Sequence, residues 1–276
     1  MIIDAHQHFW KYQPEEDSWL HPEEMAVIRR DFTPSDLKPI LDKNHVDATV
    51  AVQVGQDLRE NQFLLGLAKE FPFIAAVVGW IELKATNLQE QLEHLSSAKK
   101  LVGFRHILQA EPPGYMSDPN FIAGVRMLGQ LGFTYDLLIY ESQLDEACYF
   151  VSQLDQQKII IDHLAKPAIR EKSFKDWQTC MRKLSAYPNV YCKLSGIVTE
   201  ASWSSWSFED LEPYLQEVLA LFGAKRCVFG SDWPVCTLAA SYEEVIDIVR
   251  AFISTLSKSE QSDVMGDNCR RFYGID

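Results

Sequence analysis

The 276-residue chain carries a formal charge of −13, and 47% of its residues are hydrophobic. Such a negative charge would repel a phosphate backbone, and no cluster of lysine and arginine with interleaved aromatic residues offsets it, so nucleic acid is not an expected partner. No apolar stretch reaches the roughly 18 residues of a membrane span, and residues 1–10 lack the layout of a signal peptide, so we expect a cytoplasmic globular protein with no membrane partner.

Short apolar runs alternate with longer amphipathic segments along the chain. The apolar runs predict strands over residues 2–7, 48–55, 74–81, 101–108, 133–140, 158–164, 190–196 and 227–232. The segments between them have apolar residues at spacings of three and four, which predicts helices near 34–44, 60–71, 87–98, 120–131, 141–154, 174–186, 208–222 and 241–256. Helical connections imply parallel strands, and eight such units favour a single (β/α)8 TIM barrel over residues 1–276 rather than an open doubly wound sheet.

Polar side chains follow the ends of several predicted strands. In a (β/α)8 barrel these ends surround the mouth, where active sites are built. The polar residues at or beside the predicted ends are His6, His8, Gln53, Arg105, His106, Asp162, His163, Lys193, Ser195 and Asp232. We therefore expect chemistry at the carboxyl ends of the strands.

His6 and His8 are two residues apart, so on an extended strand both side chains point to the same face. Two imidazoles on one face can offer two nitrogens to one metal ion or to one substrate. Asp232 would lie beside them, because strand eight of a closed barrel pairs with strand one. These three residues are the first candidates for a functional centre.

Each candidate also has a simpler interpretation. Asp232 could cap the turn before a proline, and His163 could be a buried histidine bonded to the backbone. Arg105 could form a salt bridge across the barrel mouth, and His106 could belong to the barrel wall instead of the site. Gln53 interrupts the apolar run of the second strand and is a candidate to reach the mouth.

Six segments together resemble one known family. The chain is similar to the amidohydrolase superfamily, in its amidohydrolase-related (type 2) branch, and within it to sugar lactonases of the L-fuconolactonase and L-rhamnonolactonase kind. The resemblance covers essentially the whole chain, and the segments that carry it are DAHQHFW, GFRHILQ, DHLAKP, KLSGIVTEA, GSDWPV and GDNCRRFYG.

This resemblance implies a set of metal-binding residues. His6 and His8 match the first-strand histidines of the family, His163 the sixth-strand histidine and Asp232 the eighth-strand aspartate. The fifth strand ends in DLLIY without a histidine, and no bridging residue is recognisable on the fourth, which argues against two metals. The resemblance thus implies at most one divalent ion, zinc first, and leaves metal-independent activity open because some relatives work without a metal.

The resemblance also implies hydrolysis of a sugar-derived lactone to the aldonic acid. Ester hydrolysis needs a base for the attacking water, stabilisation of an oxyanion and a proton for the leaving oxygen. Asp232 is the candidate base, and His163 is the candidate to polarise the carbonyl or orient the water. Arg105 and His106 are candidates to hold the oxygens of the substrate.

The loop over residues 199–208 is aromatic and leaves from the predicted catalytic face. Its Trp203 could stack on the apolar face of a sugar, or could pin its own loop to the barrel. Two other functions remain open, a metal-dependent decarboxylase of the same branch and a barrel that binds a sugar acid without turnover. A homo-oligomer is also left open.

Overall fold

A computed structural model describes residues 1–15, 17 and 19–275, and in this part of the chain eight strands form one parallel sheet. The strands are Ile3–Gln7 (β1), Ala48–Val52 (β2), Ile74–Gly79 (β3), Leu101–Ile107 (β4), Thr134–Leu138 (β5), Ile159–Ile161 (β6), Val190–Leu194 (β7) and Cys227–Phe229 (β8). They pair in chain order from β1 to β8. The amide of Asp232 donates to the carbonyl of His6 at 2.8 Å, which brings the chain after β8 back to β1. The predicted (β/α)8 barrel is confirmed.

Helices follow the strands on the outside of the barrel. They are Pro34–Lys43 (α1), Leu58–Glu70 (α2), Leu88–Leu95 (α3), Pro119–Gln130 (α4), Leu144–Ser152 (α5), Lys175–Ser185 (α6), Ile197–Glu200 (α7), Phe208–Phe222 (α8), Tyr242–Phe252 (α9), Lys258–Ser262 (α10) and Asn268–Tyr273 (α11). The short helices α7, α10 and α11 were not predicted, because four to six residues are too few to establish a period. None of the described helices is both long and apolar enough to cross a membrane.

Apolar residues cover both faces of the sheet. The larger cluster fills the space between strands and helices and includes Phe104, Trp177 and Phe229. A smaller cluster joins strand residues such as Ile160 and Val228 to the last helix, α11. Every residue of β1, β2 and β5 is buried, so both faces of these strands are covered, and the polar residues among them, such as Asp4, His6 and Asp136, are buried as well.

All eight strands are shorter than predicted, and at β6 and β8 the difference moves two site residues off the strand. Strand β6 ends at Ile161, because residues 163–166 all have positive φ, and strand β8 ends at Phe229, three residues before Asp232. Asp232 itself has a φ of 60°. The left-handed run after β6 departs from the extended conformation, so the β6 ladder stops there, whereas Asp232 still donates its amide to the carbonyl of His6 in β1. His163 and Asp232 therefore lie on turns beyond the strands rather than on the strands.

Candidate active site

Three imidazoles converge on one carboxylate oxygen at the mouth of the barrel. The distance from Oδ1 of Asp232 is 3.3 Å to Nε2 of His8 and 3.8 Å to Nε2 of both His6 and His163. All four side chains are buried. Ligands about 2.0–2.1 Å from one tetrahedral zinc ion lie about 3.3 Å from one another, so this donor set fits a single divalent ion. We call these four residues the histidine cluster.

Hydrogen bonds orient two of the imidazoles. Nδ1 of His8 lies 2.8 Å from the carbonyl oxygen of Val52, which can only accept, so Nδ1 carries a proton. Its Nε2 then faces the carboxylate of Asp232, and two electron-rich atoms at that distance need a proton or a metal ion between them. Nδ1 of His163 is held by the Ser195 hydroxyl at 2.9 Å, which leaves Nε2 directed at Asp232.

Burial sets the protonation states of the histidine cluster. It lowers the pKa of His163 to about 4, and it holds the pKa of His6 well below the usual range with help from the nearby charge of Lys193. Burial alone would raise the pKa of Asp232, but the facing imidazole of His163 and the hydrogen bond with His8 outweigh it and lower that pKa. Neutral imidazoles beside an ionised carboxylate are the forms that bind a metal.

Lys193 lies between two acids on the strand side of the histidine cluster. Its Nζ is 2.5 Å from Oδ2 of Asp136, 2.9 Å from Oδ1 of Asp162 and 3.0 Å from Nδ1 of His6. The hydroxyl of Tyr273 also donates to Asp136, at 2.7 Å. Burial would lower the pKa of Lys193, but the two carboxylates outweigh it and raise it, so the side chain stays an ammonium.

Arg105 completes this group of charges. Its Nη1 donates to Oδ2 of Asp162 at 3.1 Å and lies 3.2 Å from Nε2 of His6, while Nη2 donates to the carbonyl of Gln53. The amide of Gln53 donates back to the Arg105 carbonyl at 3.0 Å. We call Arg105, Asp136, Asp162 and Lys193 the ionic layer. Its charges balance, since two cations face two carboxylates.

The ionic layer excludes a metal ion from a second set of candidate ligands. His6, Asp162 and His163 also have ligand atoms within 4.8 Å of one another. The ammonium of Lys193, however, contacts both Asp162 and His6 at 3.0 Å or less. A divalent ion at this position would overlap sterically with the ammonium of Lys193 and would be repelled by its positive charge. The geometry therefore favours one ion over two.

The turn that carries His163 is supported from two sides. Residues 163–166 form a left-handed turn, and the indole of Trp177 donates to the carbonyl of Leu164 at 2.7 Å. Gly196 follows β7 with a φ of +60°, and a Cβ there would lie 2.4 Å from Nδ1 of His163. Only glycine fits this position without moving the histidine. The segments DHLAKP and KLSG thus pack directly against each other.

Asp232 is held by an acid that the sequence analysis did not single out. The carboxylate of Asp4 accepts hydrogen bonds from the amide and hydroxyl of Ser231, at 2.8 and 2.6 Å, and from the hydroxyl of Tyr242 at 3.1 Å. Asp4 therefore fixes the residue immediately before Asp232. Its only signal in the sequence is an acid inside the apolar run IIDAHQ.

Two predicted residues contact other partners. His106 bonds to Oε1 of Glu111 at 2.8 Å and stacks on Tyr115, with ring centroids 5.2 Å apart, which supports its interpretation as part of the wall. The indole of Trp203 donates to the carbonyl of Thr199 in its own loop at 2.8 Å. Gln53 reaches the mouth, but its contacts are to Arg105.

The whole chain is similar to proteins of one known family. The model of the amidohydrolase family (Amidohydro_2) matches residues 3–275 of the chain. The chain belongs to the amidohydrolase family. This amidohydrolase is 39% identical over 285 residues to an L-fucono-1,5-lactonase of Burkholderia multivorans, covering 99% of this chain and 96% of that protein. It is 35% identical to an L-fucono-1,5-lactonase of Burkholderia ambifaria, with the same coverage.

A solved structure shares the fold closely. An amidohydrolase from Burkholderia multivorans with bound zinc superposes with a TM-score of 0.97 at 39% identity, and the match covers all of both chains. The bound zinc belongs to that protein, and what the two chains share is the family and the fold. The family resemblance predicted from the sequence is confirmed.

Proposed function

We propose that this amidohydrolase hydrolyses a small sugar-derived lactone of the L-fucono-1,5-lactone type to the open-chain aldonic acid. The observation that carries the proposal is the convergence of His6, His8 and His163 on the Asp232 carboxylate in a chain that is similar over its whole length to L-fucono-1,5-lactonases. The cluster offers a base, neutral imidazoles and a place for one cation, which are the groups that ester hydrolysis needs.

The histidine cluster would hold one divalent ion, with zinc the first candidate. When bound, such an ion acts as a Lewis acid that polarises a carbonyl and lowers the pKa of water. The convergence of three Nε2 atoms on one oxygen supports this assignment, and the ammonium of Lys193 supports a limit of one ion. Metal-independent activity is the alternative that chelation tests.

Asp232 would move the proton in this mechanism. Its carboxylate takes a proton from the attacking water as the new bond to the lactone carbonyl forms. The bond between the carbonyl carbon and the ring oxygen then breaks, and Asp232 returns the proton to the leaving alkoxide. The balance is one water consumed and one hydroxy acid formed. The lowered pKa of Asp232 keeps the carboxylate ionised at neutral pH, ready to accept.

Arg105 and His163 would act on the carbonyl oxygen. A guanidinium is always charged and donates in a fixed fork, and Nη1 of Arg105 already points at the histidine cluster. The ring of His163 packs against that of His6, with centroids 4.4 Å apart, and would orient the carbonyl or the water. Gln53 would act through Arg105 by holding its guanidinium and its backbone.

Several assignments stay predictions. Contact of His106 or Trp203 with the substrate has no support from their partners, which lie in the wall and in the loop. The cytoplasmic location, the absence of nucleic-acid partners and a homo-oligomer likewise rest on the sequence alone.

A proton-release screen over L- and D-sugar lactones, run with and without chelator, tests the proposal. We expect acid production from L-fucono-1,5-lactone and a loss of rate on chelation that one equivalent of zinc restores. Release of CO₂ from aromatic or enoic acids, with no lactone hydrolysed, would instead identify the decarboxylase. A thermal shift with sugar acids but no turnover of either substrate class would identify the binding barrel.

A further inference from the structure

A cavity of about 650 Å³ opens at the carboxyl ends of β5, β6 and β7. Its wall includes Tyr140, which follows β5, Lys166, which follows β6, and Glu200 at the end of α7. Nζ of Lys166 pairs with Oε1 of Glu200 at 2.8 Å, and the two side chains are 19% and 18% exposed. An ion pair therefore faces a space large enough for a small ligand.

Lys166 shares a turn with His163 of the histidine cluster. It lies three residues after His163 in the same left-handed turn, and its amide donates to the His163 carbonyl at 2.7 Å. Burial would lower the pKa of Lys166, but the charges of Glu200 and Asp232 outweigh it and raise that pKa. One turn of backbone therefore carries both a residue of the histidine cluster and a residue of the cavity wall.

The turn between His163 and Lys166 is strained. Its four residues have φ values of 53°, 54°, 59° and 46°, and none of them is glycine. Such runs persist only where the surroundings determine them, and they are concentrated at functional sites. Here the strain has a specific result, because it puts one side chain into the cluster and the other into the cavity wall.

The chemistry of the pair suits hydroxyl groups. An ammonium has three N–H bonds and a carboxylate has two oxygens, and the ion pair uses one of each. In the described part of the chain, this is the one hydrogen bond of either side chain. A sugar hydroxyl both donates and accepts, so neighbouring hydroxyls can bind a carboxylate and an ammonium together.

We propose that Lys166 and Glu200 bind the ring hydroxyl groups of the lactone and so distinguish polyhydroxylated lactones from unsubstituted ones. This inference rests on the proposed function, because it assumes a lactone carbonyl at the histidine cluster. It adds a residue pair that contacts the far side of the substrate and selects it by its hydroxyls.

The test compares Lys166→Met, Glu200→Gln and the double variant on L-fucono-1,5-lactone and on δ-valerolactone, which has no hydroxyls. We expect KM for the sugar lactone to rise about 10- to 100-fold, the usual effect of losing a hydrogen bond to a charged group, with kcat/KM for δ-valerolactone within about twofold. Each single variant leaves one charge without its partner and could unfold for that reason. The double variant removes both charges and so still tests the proposal in that case. Arg182→Met is the matched control, because it removes an ion pair between α6 and α8, to Glu217 at 3.4 Å.

An equal fall in kcat/KM for both lactones would overturn the inference and would assign the pair to structure or to the chemical step. Unchanged KM for both substrates would overturn it as well. If the unaltered protein hydrolyses no lactone, the proposed function fails, and calorimetry with L-fucitol, which has hydroxyls but no carboxylate, decides the inference alone. A tenfold weaker Kd in Lys166→Met then supports the pair as a hydroxyl site, and an equal Kd refutes it.

Discussion

The histidine cluster and the ionic layer are neighbouring groups of buried polar side chains, yet they differ in whether the protein itself pairs their charges. In the ionic layer each carboxylate has a cation within 3.1 Å, with Lys193 serving both Asp136 and Asp162. In the histidine cluster, by contrast, neutral nitrogens and one carboxylate point at a common place. His6 belongs to both, with Nε2 toward the cluster and Nδ1 toward Lys193.

This comparison separates reactivity from stability. A charged group whose counter-charge is supplied by the protein has little charge left to offer a substrate, whereas neutral nitrogens and a carboxylate that point at one place can bind a metal ion or accept a proton. Variants in the cluster should therefore affect turnover with little change in folding. Variants in the ionic layer should affect folding first.

The largest effect is expected for Asp232→Asn. Asparagine keeps the shape of the side chain but cannot accept the proton of water, so kcat should fall about 10²- to 10⁴-fold. The melting temperature should stay close to that of the unaltered protein. Near-normal turnover in a folded Asp232→Asn protein would assign a structural role to this carboxylate and contradict the proposed mechanism.

The next largest effect is expected for Lys193→Met. The change leaves Asp136 and Asp162 buried without their shared cation, which should lower the free energy of unfolding by about 3–5 kcal/mol. Lys183→Met is the control, because Lys183 is exposed and should change stability by less than about 0.5 kcal/mol. Denaturant titration measures both.

The pH dependence of Lys193→Met sharpens the same prediction. Burial already raises the pKa of Asp136 to about 6 with the ammonium present, and loss of the ammonium should raise the pKa of both carboxyls further above their values in the unfolded chain. Stability of the variant should then be greater at about pH 5 than at about pH 8, because the folded state binds the protons more tightly. A variant that instead loses stability as the pH falls over this range would contradict the assignment of Lys193 as their counter-charge.

Gly196→Ala should disturb the histidine cluster through the backbone. Its φ of +60° and its Cβ 2.4 Å from His163 predict both strain and a displaced imidazole. Gly274→Ala is the matched control, because Gly274 has the same left-handed backbone, with φ 67° and ψ 38°, and a Cβ there would meet nothing within 4 Å. Both should lose about 1–2 kcal/mol of stability, and only Gly196→Ala should also lose most of its kcat/KM. Equal activity in the two variants would show that His163 tolerates the shift.

Arg105 lies at the boundary between the histidine cluster and the ionic layer, so its substitution should lower both activity and stability. Arg105→Met should lower kcat/KM more than about tenfold, since a charge-assisted contact to the substrate is lost. The loss of stability should be smaller than for Lys193→Met, because Asp162 keeps the ammonium of Lys193. Steady-state kinetics combined with thermal unfolding separates the two effects, and unchanged kinetics with a lower Tm would make Arg105 a structural ion.

The smallest effect is expected for Trp203→Phe. The indole hydrogen bond to Thr199 is lost, which should cost about 0.5–1.5 kcal/mol, while KM should change by less than about twofold. A tenfold rise in KM would instead show that the ring stacks on the substrate.

The order of strands and helices was predictable because it depends on apolar runs and on their spacing. The grouping of His6 with His8 was predictable too, since alternation along a strand is a local property. The same alternation could have separated Arg105 from His106, because neighbouring strand residues point to opposite faces. Only Arg105 reaches the cluster, and His106 packs in the wall.

The ends of β6 and β8 were not predictable in this way. His163 and Asp232 take up left-handed conformations that L-residues adopt only in a small minority of positions, and contacts with distant segments stabilise them here. Asp136 was missed for a related reason, because its partner Lys193 is 57 residues away in the sequence. Pairing over that separation leaves no periodic signal.

The hydrogen bond from Tyr273 to Asp136 links the last helix to the middle of the barrel across 137 residues. Asn268, in the same helix, donates to the carbonyls of Ala224 and Cys227 at 2.6 and 2.7 Å and so supports the start of β8. During synthesis, strands β1 to β7 leave the ribosome before either contact can form. A nascent chain that has reached only β8 must therefore hold its buried acids without their final partner, and the barrel centre becomes complete only after α11 has emerged.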